Sequence, residues 1–553
     1  MTTTPVLPAT VDENWSALWD RVAQAVPDRV AVVERDRTTT YRELEERAAR
    51  LAAALHERGV GHGDRIGLFC YNRQEYLEAI YAAFKLGAIP VNINFRYRSE
   101  ELVDLLELTA PSVLLFPDTL SAVVTDARRM ADPSVRLVQL GDGPAADGVE
   151  RYDDLLAAEP LREPQPISGA DEIFIVTGGT TGTPKAVVWL HSGLFDSQLV
   201  SAYGASGVAY PTTVEEVVQV AVDQEESAPR TLPISPLMHA MAMFNTMNTL
   251  LLGGTVVFLG QASFDAALAL SIVAEQRIDR VIIAGNAIAL PLVDELDRAR
   301  DAGTPYDASS VRLVMSSGML WSDEAKARML RHLDATLFDI VGASEGGPFA
   351  YSTVRSAEDL PTSLRLATGA TLVDERGHEL PHEPGTTGLL GYRGPMPLGY
   401  YRDPERTATA YLEVDGRRLV VPGDFARRLG GDRVEMLGRG TAVVNTGGEK
   451  VYPVEVEAAI LTHDAVGDCV VFGVPDERWG SIVAAVVAPK KGRQVTSEEI
   501  DAHIAGRLAG YKRPRLTVIS DRIDRSMSGK LNLRAVIALG RTAVPSREKA
   551  SNP

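Results

Sequence analysis

Apolar positions recur along the first third of the chain with two alternating periods. Residues 41–58 (YRELEERAARLAAALHER) set Leu44, Ala48, Leu51 and Leu55 at helical spacing and break at Gly59 and Gly61. Residues 65–70 (RIGLFC) read as a short buried strand. Residues 75–86 predict a second helix closed by Gly87, and 89–93 a second strand; 113–116 and 136–140 continue the alternation. The rhythm returns at 173–177, 255–259, 280–284 and 311–316, each a short apolar run between helical stretches. Short buried strands alternating with helices predict parallel α/β sheets covered on both faces, and two such layers fit the length.

Two stretches depart from that rhythm. The acidic segment 202–229 (containing VEEVVQVAVDQEESAP) reads as a surface insertion or lid. From residue 386 the texture becomes glycine-punctuated β sequence, TTGLLGYRG and then VVPGDFARRLGGDRVEMLGRG, which predicts antiparallel hairpins. A compact region after Gly440 predicts a helix at 453–462, strands at 469–474 and 482–488, and a helix at 497–508. The boundary between a large body and a small C-terminal domain falls near 438–440.

The 553 residues suffice for roughly three to four folding units at about 150 residues each. A net charge of −18 without a basic block argues against a nucleic-acid partner or an anionic-membrane binder. Cys70 and Cys469 lie far apart and no CxxC occurs, which disfavours a disulfide framework and a zinc knuckle alike. The first residues show no secretory signal pattern, and the most apolar stretch, 250–259, is broken by Gly253 and Gly254 and too short to span a bilayer. The expectation is a cytoplasmic protein with no integral membrane association.

The chemistry concentrates in IVTGGTTGTPKAVVWL, residues 175–190. A buried strand runs into a loop whose glycines let backbone N–H groups converge on an anion, while Thr177, Thr180 and Thr181 add hydroxyls and Lys185 adds charge. That combination makes a polyphosphate cradle. It is not a Walker A loop, because Lys185 stands between Pro184 and Ala186 rather than in a Gly-Lys-Ser/Thr step. Only nine of the 56 basic residues are lysines, yet Lys185, Lys450 and Lys530 each occupy a Gly-rich polar loop (TGTPK, TGGEK, MSGK), where a compact point charge suits an anion.

The series TGGTTGTPKAV, VGASE at 341–345, PGD at 422–424 and GRGTAVVNTGGEKVYPVEVE from Gly438 resembles the adenylate-forming superfamily. That group includes acyl- and aryl-CoA synthetases, firefly luciferase and peptide-synthetase adenylation domains. The likeness runs in order from about residue 40 to residue 534. It implies an α/β fold with a β-barrel part: a large N-terminal domain (1–437) of two α/β sheets plus barrel, and a small mobile α+β C-terminal domain (438–553) with a hinge at about 439–442. It also implies ATP, Mg²⁺ and coenzyme A as reactants. A small-molecule carboxylic acid attacks ATP to give an acyl adenylate and pyrophosphate, and a thiol then displaces AMP. Homodimers are common among relatives.

By resemblance, Thr177, Gly178, Gly179, Thr180, Thr181, Gly182 and Lys185 hold the β- and γ-phosphates, with Thr181 also a catalytic candidate. Glu345, beside Ser344, ligates Mg²⁺ as a hard oxygen donor. Gly318, Met319 and Asp339 frame the adenine, and Asp424 and Arg439 take the ribose and α-phosphate. Lys530 bridges the attacking carboxylate and the phosphate. His239 stands at the mouth of the acid pocket, although a lone histidine in an apolar run is by residue type at home in a core. Met243, Phe244, Asn286 and Gly318 line the acid pocket. Gly447, Gly448 and Lys450 face the pantetheine arm of coenzyme A.

Some positions depart from the superfamily pattern. Gly179 replaces a usual serine, Ala186 a glycine, and Val341 an aromatic residue that stacks on adenine, a contact worth roughly 0.5–1.5 kcal/mol. TGGTTG, VPGDFA, NTGGEKV and AGNAIALPLVDEL at 284–296 resemble the branch of fatty-acid and steroid-side-chain acyl-CoA synthetases. A carboxylic acid–CoA ligase ranks first. The alternatives are an amino-acid adenylation domain, disfavoured because the stretch after Lys530 is too short for a carrier domain; an adenylating enzyme with another acceptor, such as an ATP- and nitrite-dependent diazotase of aryl amines; and an AMP-binding regulator, disfavoured because Lys185, Glu345, Asp424, Arg439 and Lys530 are all present.

Overall fold

A computed structural model of the chain describes residues 11–130, 134–163, 165–178, 184–318, 321–439, 444–446, 449–476, 480–505, 507–508 and 510–523. The chain divides into two compact units. The first takes in Met1–Thr362, Ala367–Ala370 and Tyr392–Val420; the second takes in Ser363–Leu366, Thr371–Gly391 and Val421–Pro553.

The first unit carries the two α/β sheets. In one, strands Val30–Glu34, Thr255–Phe258, Arg230–Pro233, Arg280–Ile283, Leu313–Ser317 and Thr336–Ala343 lie parallel in that order, and Arg37–Thr40 and Gly346–Val354 pair antiparallel at the two ends. Helices Ala266–Glu275, Gly285–Asp301 and Asp323–Met329 cover it, and Leu232, Ile283, Val293, Ala325 and Leu337 are fully buried between the layers. In the other, strands Glu172–Gly178, Ile89–Asn92, Arg65–Leu68, Val113–Pro117, Arg136–Leu140 and Val149–Arg151 run parallel in that order. Burial on both faces explains why VLLFP at 113–117 is apolar throughout rather than alternating.

The predicted helix at 41–58 forms as Tyr41–Glu57. Thr40 and Glu43 close a capping box at its start, worth about 1 kcal/mol. The helix at 75–86 forms as Gln74–Lys85 and the strand at 65–70 as Arg65–Leu68. The segment 202–229 is not a free surface insertion. It contains helix Val214–Asp223, whose Val217 and Ala221 are fully buried and which packs on helix Trp15–Ala25. The i, i+4 spacing of those two residues is the helical signal that the acidic neighbours obscured.

In the second unit, strands Leu364–Leu366, Arg433–Arg439, Asp424–Gly430 and Thr387–Tyr392 pair antiparallel in that order, as the glycine-punctuated texture predicts. A second sheet joins Glu449–Val451, Val444–Thr446, Gly480–Pro489 and Val466–Asp476, with Leu516–Ile519 parallel to Gly480–Pro489. Strand Val466–Asp476 overruns its predicted ends because both of its faces are covered. Cys469 and Val471 pack with Val456 and Ile500 of helices Pro453–Leu461 and Ser497–Ala505, while Val470, Phe472 and Val474 pack with Leu516 on the other face.

Candidate active site

The strands on either side of the Gly/Thr-rich stretch pair with each other. Strand Glu172–Gly178 pairs antiparallel with Pro184–Leu190, which sets Thr177 opposite Lys185 and Gly178 opposite Pro184. Residues opposite one another share a face, so the hydroxyl and the ammonium flank the loop on one side. The Thr177 hydroxyl is buried with no hydrogen-bond partner among the described residues, a position that favours an incoming acceptor.

Strand Gly399–Tyr400 adds to the outer edge of this pair, with Tyr400 opposite Val187. Because side chains alternate, Val187 and Lys185 point to the same face, and Tyr400 lies diagonal to Lys185. Its backbone N–H donates to Thr407 Oγ1 at 2.9 Å. The preceding Gly399 has φ +146°, and a Cβ there would stand 2.4 Å from Thr407 Cγ2, so the close approach requires glycine.

Glu345 arrives from the other sheet. Strands Thr336–Ala343 and Gly346–Val354 pair with Ala343 opposite Gly346, leaving Ser344 and Glu345 as a two-residue turn. Although at a hairpin tip, Glu345 is only 5% exposed. Lys185 Nζ donates to Glu345 Oε1 at 2.5 Å and to Tyr400 Oη at 2.9 Å, and Tyr400 Oη donates to the same Oε1 at 2.7 Å. The ammonium also lies 4.5 Å from the centroid of the Tyr400 ring. Tyr411 Oη donates to the Glu345 carbonyl at 3.1 Å, and Trp189 Nε1 to the Ser344 carbonyl at 3.0 Å, fixing the turn by its backbone. Burial pushes the Glu345 carboxyl up, but the Lys185 charge, the Lys185 hydrogen bond and the Tyr400 hydroxyl outweigh it and hold it below its ordinary value. Tyr411 is raised by burial and by the Glu345 charge, so it stays protonated.

Two asparagines, the buried Asn92 and the partly buried Asn72, join this site to the loop that carries His239. Asn92 accepts from Val176 N at 2.8 Å and donates to the carbonyls of Val176, at 3.3 Å, and Met238. Asn72 donates to the carbonyls of Pro233 and Ser235, both at 2.9 Å, and accepts from Leu237 N at 2.7 Å. His239 is thereby placed as the N-cap residue of helix Ala240–Leu251, next in chain to a carbonyl held by the phosphate-loop sheet. Met243 and Phe244 lie buried in the same helix.

Asp339 stands on strand Thr336–Ala343, where the fully buried Lys326 donates to its Oδ2 at 3.2 Å; burial nonetheless leaves its carboxyl above the ordinary value. Gly318 ends the neighbouring strand with φ +82° and open space around its Cβ position. Asn286 Oδ1 accepts from Ser322 N at 2.9 Å and Ser322 Oγ at 3.2 Å, so that amide ties helix Gly285–Asp301 to the start of Asp323–Met329.

In the second unit, Asp424 lies directly opposite Arg439 across an antiparallel pair. Strands Val444–Thr446 and Glu449–Val451 pair with Thr446 opposite Glu449. Gly179, Thr180, Thr181, Gly182, Met319, Gly447, Gly448 and Lys530 lie outside the described residues, as do the side chains of Arg439 and Lys450. The structure therefore brings together Thr177, Lys185, Ser344 and Glu345 in one unit and Asp424 with Arg439 in the other. Tyr400, Tyr411, Trp189, Asn72, Asn92 and Lys326 were not singled out from the sequence. Asparagines at the ends of apolar strands (VNIN, CYN) were the local signal.

Residues 19–401 match the AMP-binding enzyme family and residues 455–530 its C-terminal domain. The chain is 36% identical over 530 residues to a medium/long-chain-fatty-acid–CoA/3-oxocholest-4-en-26-oate–CoA ligase of Mycolicibacterium smegmatis, covering 94% of this chain and 95% of the relative. It is 34% identical, with the same coverage, to a 3-oxocholest-4-en-26-oate–CoA ligase of Rhodococcus rhodochrous. A crystal structure of an anthranilate CoA ligase in complex with anthranoyl-AMP shares the fold, with a TM-score of 0.79 at 21% identity over 97% of this chain and 98% of that one. The chain belongs to the AMP-binding enzyme family, the adenylate-forming superfamily, in its fatty-acid and steroid-side-chain branch.

Proposed function

We infer that this protein is an ATP-dependent carboxylic acid–CoA ligase. It forms an acyl adenylate with release of pyrophosphate, then an acyl-CoA thioester with release of AMP. The observation that carries the reading is the ion pair between Lys185, at the end of the phosphate loop, and Glu345, on a buried turn of the neighbouring sheet. A lysine and a carboxylate at one point are the groups that a magnesium–triphosphate needs. The sequence likeness to curated CoA ligases supplies the acceptor.

Lys185 and the Thr177 hydroxyl take the β- and γ-phosphates, together with the loop 178–182. Glu345 suits Mg²⁺ as a buried, ionised oxygen donor. Among the described residues no group of three or more His, Cys, Asp or Glu forms a cage, so the remaining ligands would be phosphate oxygens and water. When bound, the ion would spread the triphosphate charge and ease departure of pyrophosphate. His239 sits by the attacking carboxylate, and Lys530 supplies a positive charge between that carboxylate and the α-phosphate. A charge pair of that kind about 4 Å apart is worth roughly 4 kcal/mol at an effective dielectric of 20. Asp424 accepts from the ribose hydroxyls beside Arg439. Gly447, Gly448 and Lys450 serve the coenzyme A arm, and the small domain turns about residues 439–442 between half-reactions.

The acid is one with an extended apolar body, of medium-to-long-chain fatty or steroid-side-chain type, as the relatives' names suggest. The Met243–Phe244 helix face and Gly318 receive it. Among the described residues no helix is long and apolar enough to cross a membrane, in keeping with a cytoplasmic enzyme. The diazotase alternative is not favoured, since the similar curated relatives above are acyl-CoA ligases. Acid-dependent exchange of labelled pyrophosphate into ATP, measured without coenzyme A, tests the first half-reaction. Exchange is expected with a long-chain acid and none without acid; absence with every acid class would refute the assignment.

A further inference from the structure

Glu345 and Lys185 face a conflict if the reading above holds, and the present inference rests on that reading. Each is the other's partner, at 2.5 Å and with Glu345 5% exposed. Binding a magnesium–triphosphate asks both to turn to new partners. Parting a buried ion pair leaves an uncompensated charge at low dielectric, which is costly unless another group stays in contact with it.

One side chain touches both partners. The Tyr400 hydroxyl donates to Glu345 Oε1 at 2.7 Å and accepts from Lys185 Nζ at 2.9 Å, while its ring face lies 4.5 Å from the same ammonium. Its backbone is held on three sides: by pairing with Val187, by Thr407 Oγ1, and by the Gly399 approach that a Cβ would block. The strand edge thus presents the phenol at a fixed position between two groups that must move.

We propose that Tyr400 is a positioning residue for the first half-reaction. Its hydroxyl keeps a hydrogen bond on the Glu345 carboxylate, and its ring keeps contact with the Lys185 ammonium, as the ion pair opens to admit the metal-bound phosphates. The phenol adds no proton or charge of its own. Tyr411 donates instead to the main-chain carbonyl of Glu345 and does not share this role.

The test is Tyr400→Phe, which removes one oxygen and keeps the ring. The Mg²⁺ concentration for half-maximal pyrophosphate–ATP exchange is expected to rise by roughly tenfold or more, the size of a lost hydrogen bond to a charged group. The KM for coenzyme A in the second half-reaction should not move. In the Glu345→Gln background the same change should add little, because the two act as one unit. A second readout needs no turnover. Mg²⁺ with ATP should raise the Tm of the unaltered protein, and Tyr400→Phe should diminish that rise, whereas loss of mere packing would lower Tm equally with and without them.

If Tyr400→Phe does not fold, Thr407→Val, which removes the acceptor of the Tyr400 backbone N–H together with a hydrogen bond to the Asp403 carbonyl, should raise the Mg²⁺ requirement in the same direction. An unchanged Mg²⁺ requirement in the folded variant overturns the proposal, as does an equal effect in the Glu345→Gln background. Those results would leave the ligase reading standing. Lack of acid-dependent exchange in the unaltered protein would instead defeat the reading itself.

Discussion

Lys185 and Tyr400 hold the Glu345 carboxyl below its ordinary value against the burial that raises it, and this sets a pH dependence with a definite sign. The Glu345 carboxyl lies below its ordinary value, so the stability it contributes is present above the unfolded carboxylate range and is lost as pH falls through its depressed value. Lys185→Met removes the charge and the hydrogen bond that lower it most and leaves the Tyr400 hydroxyl alone against the burial that raises it. The variant should therefore be less stable than the parent by roughly 3–5 kcal/mol at neutral pH, the usual cost of breaking a buried pair, with the gap closing as acid protonates the carboxyl. Thermal unfolding across pH measures it; a gap that does not vary with pH would place Lys185 outside the pair. Both residues were legible in the sequence, because a Gly/Thr-rich loop ending in lysine and a VGASE turn are recognisable locally. Tyr400 was not. It meets Lys185 from 215 residues further along the chain, and only the strand register makes them neighbours.

At the level of elements, the hydrophobic periods located most strands and helices to within a few residues, since burial on both faces of the sheets leaves a dense apolar signal. They did not reveal that 184–190 returns antiparallel to 172–178, nor that the acidic stretch 214–223 is docked, because charge on one face of a helix masks two small buried residues on the other. Asn92 shows what such pairing hides, for its amide joins strand Glu172–Gly178 to Met238 through contacts that no local pattern announces. Asn92→Ala would leave the buried Val176 N–H without its side-chain acceptor, and a loss of about 1–3 kcal/mol is expected. It should also raise the KM for ATP more than the KM for coenzyme A. Equal effects on the two would mean that the amide serves the core and not the site. Gly399→Ala is expected to be at least as damaging to Tm as Asn92→Ala, because both its φ and its space forbid a Cβ.

For the molecule as a whole, the proposed two-step reaction requires the two units to contribute different groups at different times. Lys530→Ala should abolish acid-dependent pyrophosphate exchange while largely sparing thioester formation from a supplied acyl adenylate. Equal loss in both assays would mean that the lysine is structural. Gly448→Ile should do the reverse, blocking the thioester and leaving pyrophosphate release intact; unimpaired acyl-CoA output would remove Gly448 from the coenzyme A path. The ordered motifs made the fold class legible across nearly the whole chain. The acid was not, because fatty and steroid-type pockets are built from the same apolar residue types, and Met243 and Phe244 are buried as any core residue would be.

The central claim is that an adenylate made here passes to coenzyme A. The protein incubated with ATP, Mg²⁺ and a panel of fatty, aryl and steroid-side-chain acids, with and without coenzyme A, tests it most directly through product masses, with one arm holding nitrite and aryl amines. A coenzyme A thioester of an extended apolar acid is expected, with AMP formed in equal amount. AMP release without any thioester, or product only in the nitrite arm, would contradict it.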